Sequence, residues 1–122
     1  MIKYIPFTGG IRPFSTAVQT GNTLYVSGQV GIDRSIGTYP EGIEGQTRQA
    51  IENLKAVLQE QGFQLSDVVK MTVLLTDISD LAGFNAVYKE AFSADPPART
   101  LSAVSALAGP AIVELDAIAY KE

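Results

Sequence analysis

At 122 residues, with 46% hydrophobic and 18% charged side chains, the sequence has the length of one domain over residues 1–122, large enough to bury about two thirds of its unfolded surface. Nine basic and thirteen acidic residues give a net charge of -4; with no basic block, this opposes a general attraction to nucleic acid, and no apolar run reaches the roughly 20 residues that span a bilayer. Zero histidines and zero cysteines exclude serine–histidine triads, thiolate nucleophiles and disulfides, leaving catalysis to Arg, Lys, Glu, Asp, Tyr, Ser or the backbone.

The opening MIKYIPFTGG lacks a basic n-region, a continuous apolar stretch and a small-residue cleavage site, which argues against secretion and for the cytoplasm. After the turn pair Gly21-Asn22, TLYVSGQV alternates and carries β-formers. It predicts a strand over Thr23–Val30 with Gly28 as a bulge and Phe14–Thr20 as hairpin partner. The glycine- and proline-punctuated GIDRSIGTYPEG reads as a surface loop. From Ile43 or Glu44 to Gln61, Ala50, Ile51, Leu54, Val57 and Leu58 recur at helical spacing, and Gly62 supplies a stop.

VVKMTVLL reads as a strand inside a sheet. A second helix follows, capped by Ser79 or Asp80, with Leu81, Phe84, Tyr88, Ala91 and Phe92 as its apolar stripe and Pro96-Pro97 as its limit. Arg99–Ala106 and Ala111–Tyr120 then read as strands joined by a turn on Gly109-Pro110. The order ββαβαββ implies an α+β sheet with both helices on one face. Val73, Leu75 and the alternating apolar residues of the last strand are expected on the other face, covered by further subunits.

Four positions attract attention as chemistry. Arg99, in PPART, is either an arginine that packs its stem and pairs a neighbouring carboxylate, or a planar fork for a substrate carboxylate, a grip lysine cannot reproduce. Alternation in IVELDAIAY sets Ile112, Glu114, Asp116, Ile118 and Tyr120 on one face. It leaves open whether Glu114 is solvated on an edge strand or sits in a cleft, orienting or deprotonating water. Ser27, beside Gly28, is a small strand residue or a hydroxyl available to a ligand carboxylate. Asn85 is an exposed helix residue, or faces a pocket rim. The glycines match no phosphate-binding fingerprint and the carboxylates no calcium or magnesium spacing, so neither metal nor cofactor is called for.

YVSGQVGID, QTRQAIENLKAVLQEQG, DVVKMTVLLTDISD, FNAVYKEAF, PPART and VELDAIAYKE, in this order over nearly the whole chain, resemble the Rid/YjgF family of reactive-intermediate imine deaminases. The resemblance implies a chorismate-mutase-like subunit, a homotrimer whose sheets form a central barrel, and clefts between subunits. It further implies cofactor-free hydrolysis of 2-imino acids such as 2-iminobutanoate and 2-iminopropanoate to 2-keto acids and ammonia. Arg99 would grip the substrate carboxylate and Glu114 would position water, with Ser27, Asn85 and Phe14 binding substrate. Phe14 stands where many family deaminases carry tyrosine, Thr100 where serine is common and Leu101 where cysteine is frequent. A trimer that only binds small carboxylates is the alternative reading, and an endoribonuclease a weaker one.

Overall fold

The computed structural model describes Met1–Glu122. Six strands, β1 (Ile2–Pro6), β2 (Ser15–Thr20), β3 (Thr23–Val30), β4 (Val68–Leu75), β5 (Ala98–Ala103) and β6 (Val113–Tyr120), accompany two α-helices, α1 (Gly42–Glu60) and α2 (Leu81–Ala91). The strands form one sheet in the order β1-β2-β3-β6-β4-β5. All neighbours run antiparallel except β4 and β5. That parallel pair needs a crossover, and α2 supplies it.

Both helices cover the same face. Register runs across the sheet through Ile5, Ala17, Val26, Ala117, Met71 and Arg99; the first five are buried, so this row faces the helices. The opposite face carries the row Tyr4, Val18, Tyr25, Ile118 and Lys70, none of it buried. On the helix side Ala50, Ile51, Leu54 and Leu58 of α1 pack with Phe84, Val87 and Tyr88 of α2. The helical stripe read from the sequence is therefore the core stripe. Gly62, at φ 82°, ends α1, with the amides of Gln61, Gly62 and Phe63 closing onto the carbonyls of Leu58 and Gln59.

Four expectations are corrected. The strand β1 precedes the predicted hairpin; only its Ile5 is buried, so it lacks an apolar alternation strong enough to show in the sequence. Val73 and Leu75 are fully buried on the helix face, as are Val113, Leu115 and Ala119. The open face is instead lined by the alternate residues. The two C-terminal strands are shorter than expected and do not pair with each other, because β4 lies between them. Asp80 does occupy the N-cap position of α2, but its side chain makes no capping hydrogen bond; the side-chain cap is Asp77, which accepts hydrogen bonds from the Ser79 amide at 2.9 Å and hydroxyl at 2.7 Å, starting a 3-10 turn, Ile78–Asp80, ahead of α2. No helix is long and apolar enough to cross a membrane.

Candidate active site

Register places Ser27 and Gly28 together opposite the single residue Asp116, because Val26 pairs with Ala117 and Gln29 with Leu115. This is the bulge expected at Gly28, and a bulge turns its side chains away from simple alternation. The glycine leaves room for a neighbouring carboxylate. A Cβ on Gly28 would lie 2.6 Å from Glu114 Oε2, so the carboxylate occupies the space that any other residue would fill. Phe14, Val26, Ser27, Gly28, Glu114 and Asp116 line an open cleft of about 390 Å³.

Glu114 lies on β6, an interior strand, which rules out the solvated edge-strand reading. Burial, and secondarily the nearby charge of Asp116, push its carboxyl above the usual 4.5. Both causes disfavour the ionised form, so the group holds its proton to higher pH than a free glutamate does. The Ser27 hydroxyl donates to the Ser15 carbonyl at 2.6 Å. With its proton committed, it presents lone pairs and suits an N–H donor better than the carboxylate anticipated from sequence.

Arg99 belongs to a second cluster. It lies on β5 and turns toward α2, where its Nη1 donates to Asn85 Oδ1 at 2.9 Å. Its Cζ sits 4.9 Å from the Tyr88 ring centroid and 5.6 Å from that of Phe84. None of these partners carries charge, and the one ion pair in the chain is Arg48–Glu90, at 3.1 Å between exposed side chains. A guanidinium held by an amide and aromatic faces is oriented without being neutralised. Asn85 is thus the orienting partner of Arg99, and of the two readings the sequence leaves open, pairing with a neighbouring carboxylate does not occur.

The two clusters do not meet within one chain. Arg99 pairs with Met71 on the helix face, while Glu114 pairs with Leu74 and projects from the opposite face. Two strand spacings and three residues of rise separate their Cα atoms by roughly 14 Å. Phe14, Ser27 and Glu114 therefore form one cluster, and Arg99 with Asn85 a separate one. Sequence reasoning placed Phe84 and Tyr88 in the apolar stripe and missed them as the surface beneath Arg99. Their spacing around Asn85, at i, i+1 and i+4, was the available signal. Thr100 and Leu101 flank Arg99 without joining it: the Thr100 hydroxyl accepts from Lys70 Nζ at 2.7 Å, and Leu101 packs against the core.

Similarity to known proteins extends over this whole arrangement. A family model described as Endoribonuclease L-PSP matches residues 8–121. A RutC family protein of Pyrococcus horikoshii is 46% identical over 113 residues, spanning 92% of this chain and 90% of its own length. The 2-iminobutanoate/2-iminopropanoate deaminase of Mus musculus is 44% identical over 112 residues, spanning 91% of this chain and 83% of that protein. Among solved structures, E. coli TdcF with bound serine matches at a TM-score of 0.91 and 33% identity, covering 98% of this chain and 99% of that one. The six-stranded sheet backed by two helices is the chorismate-mutase-like α+β fold. On the match of residues 8–121 and these identities, the chain belongs to the YjgF/RutC/Rid family.

Proposed function

We propose that this protein hydrolyses reactive 2-imino acids, such as 2-iminobutanoate and 2-iminopropanoate, to 2-keto acids and ammonia without a cofactor, as a cytoplasmic homotrimer of single-domain subunits. The observation that carries this reading is the uncompensated charge of Arg99, gripped by Asn85 and aromatic rings alone. Its remaining N–H groups are free to fork around a carboxylate. The half-site of Phe14, Ser27 and Glu114 is brought against that anion by a second copy of the chain. The deaminase name borne by the mouse relative points the same way.

An enamine first tautomerises to the imine, whose carbon is already electrophilic. Holding the substrate carboxylate and a water in attack geometry then supplies much of the acceleration. Water oxygen bonds to the imine carbon as the C=N π pair moves to nitrogen. Glu114 accepts the proton released by water and returns it to nitrogen, giving the carbinolamine; a second transfer through the same carboxylate, from the carbinolamine hydroxyl to nitrogen, then lets the C–N bond break as C=O forms and ammonia leaves. A carboxyl whose proton affinity is raised by burial is, once ionised, a stronger base for this exchange than a free glutamate. Ser27 offers its lone pairs to the substrate N–H. Phe14 walls the cleft and supplies no hydroxyl.

Generating 2-iminobutanoate in situ and following 2-oxobutanoate release tests the reading: the protein should accelerate release well beyond buffer, and equal rates would refute it. Arg99→Lys should cost at least about tenfold in kcat/KM while leaving the assembly intact, because one ammonium cannot form the fork. A second reading, binding of small carboxylates without turnover, is favoured by the serine found in TdcF. Saturable calorimetric binding of 2-oxobutanoate with no rate enhancement would select it. Endoribonuclease activity, suggested by the family model's description, runs against the net charge of -4; cleavage of single-stranded RNA by the purified protein would revive it.

A further inference from the structure

Tyr88 has no assigned proton or bond to make in the chemistry proposed above, yet its surroundings are unusual for a tyrosine. It is 6% exposed, and its hydroxyl oxygen is buried with no hydrogen-bond partner. A buried hydroxyl normally finds one, and leaving it unpaired carries a desolvation cost. The ring is held from both sides along α2. Its centroid lies 5.2 Å from that of Phe84 and 4.7 Å from that of Phe92, both pairs tilted. The Arg99 guanidinium lies above the Phe84–Tyr88 part of this column, closer to Tyr88.

A guanidinium with one hydrogen bond, to Asn85, retains rotational freedom about that bond. An aromatic face removes it, since the attraction between cation and ring requires the charge to stay over the π surface. We infer that Tyr88 is a positioning residue: its ring, backed by Phe92, fixes the plane in which Arg99 presents its fork, and its hydroxyl takes no part. The ligand class so selected is a planar carboxylate carried by a small molecule, and the inference rests on Arg99 being the carboxylate-binding group.

The experiment compares Tyr88→Leu, Tyr88→Phe and Phe92→Leu for 2-oxobutanoate binding by calorimetry and, separately, for KM and kcat on in situ 2-iminobutanoate. Tyr88→Leu should raise Kd and KM together by about five- to tenfold with kcat little changed. Tyr88→Phe should restore the binding lost in Tyr88→Leu, and Phe92→Leu should show an intermediate loss. Combining Tyr88→Leu with Arg99→Ala should add no further loss of binding beyond Arg99→Ala alone, because the ring acts only through the guanidinium. Where Tyr88→Leu does not fold, Tyr88→Met serves the same comparison. Tyr88→Phe binding as poorly as Tyr88→Leu would overturn the inference in favour of a hydroxyl contact, as would full additivity with Arg99→Ala. Intact binding of 2-oxobutanoate with absent imine turnover would refute the deaminase reading and leave the role of Tyr88 standing.

Discussion

Glu114 and Arg99 show opposite ways of keeping a charged group useful. The charge of Arg99 is left uncompensated because its neighbours are neutral. Glu114 is discouraged from ionising by burial and by Asp116. A carboxyl whose folded-state pKa lies above its unfolded value contributes stability that is complete below about 4.5 and is lost as pH rises through the folded value. In a single chain, Glu114→Gln should therefore melt with its parent at about pH 4 and above it at about pH 8. An arginine supplied by a second copy would reverse the difference at the higher pH. Paired thermal melts, run with assembly intact and with assembly blocked as described below, separate the two fields; a difference independent of pH in both would show that Glu114 feels neither. The identities of these residues were legible in the sequence, but their partners were not. PPART announces an arginine that needs something to hold it, whereas Asn85 and Tyr88 reach it through a crossover that local pattern does not fix.

At the level of elements, α1 and the interior strands were readable because their apolar residues recur at periods of 3.6 and 2, and burial follows the same periods. The weak strand β1 was not, since a strand with one buried residue leaves almost no pattern. The separation of β5 from β6 was hidden for a different reason: strand order is a long-range property, and adjacency in sequence suggested a hairpin that the β4 insertion forbids. Asn53 is a further contact that periodicity misses. On the polar side of α1, its Nδ2 donates to the carbonyls of Val30 and Ile32 at 2.8 Å each, tying down the end of β3 where Val30 pairs with Glu114. Asn53→Ala should cost about 1–3 kcal/mol in denaturant unfolding, because two backbone acceptors lose their donor. It should also lower kcat by loosening the strand beside the carboxylate, and a variant with parental stability and turnover would show that the tether is idle.

The whole molecule presents an unfinished surface. Tyr4, Val18, Tyr25 and Ile118 run across the open face of the sheet, with Tyr4 65% and Tyr25 47% exposed. An apolar row of this length on one side of a sheet is the feature expected of a subunit interface. Wild-type protein should sediment at three times the 13.0 kDa chain mass. Ile118→Asp, placing a charge in the middle of the row, should yield monomers with unchanged helical circular dichroism and no imine hydrolysis. A monomeric wild type, or an active monomeric variant, would remove the need for a second copy.

The connection between β4 and β5 has a consequence of its own. Asn85, Tyr88 and Arg99 all belong to one uninterrupted length of chain, from α2 into β5, whereas Phe14, Ser27 and Glu114 are gathered from three separate places. Under the proposed function, the anchor for the anion is thus a portable cassette, and the wall facing it is a mosaic. Natural variation could then retune the mosaic piece by piece, altering which side chain is welcomed, while the cassette would go on recognising the feature every such compound shares.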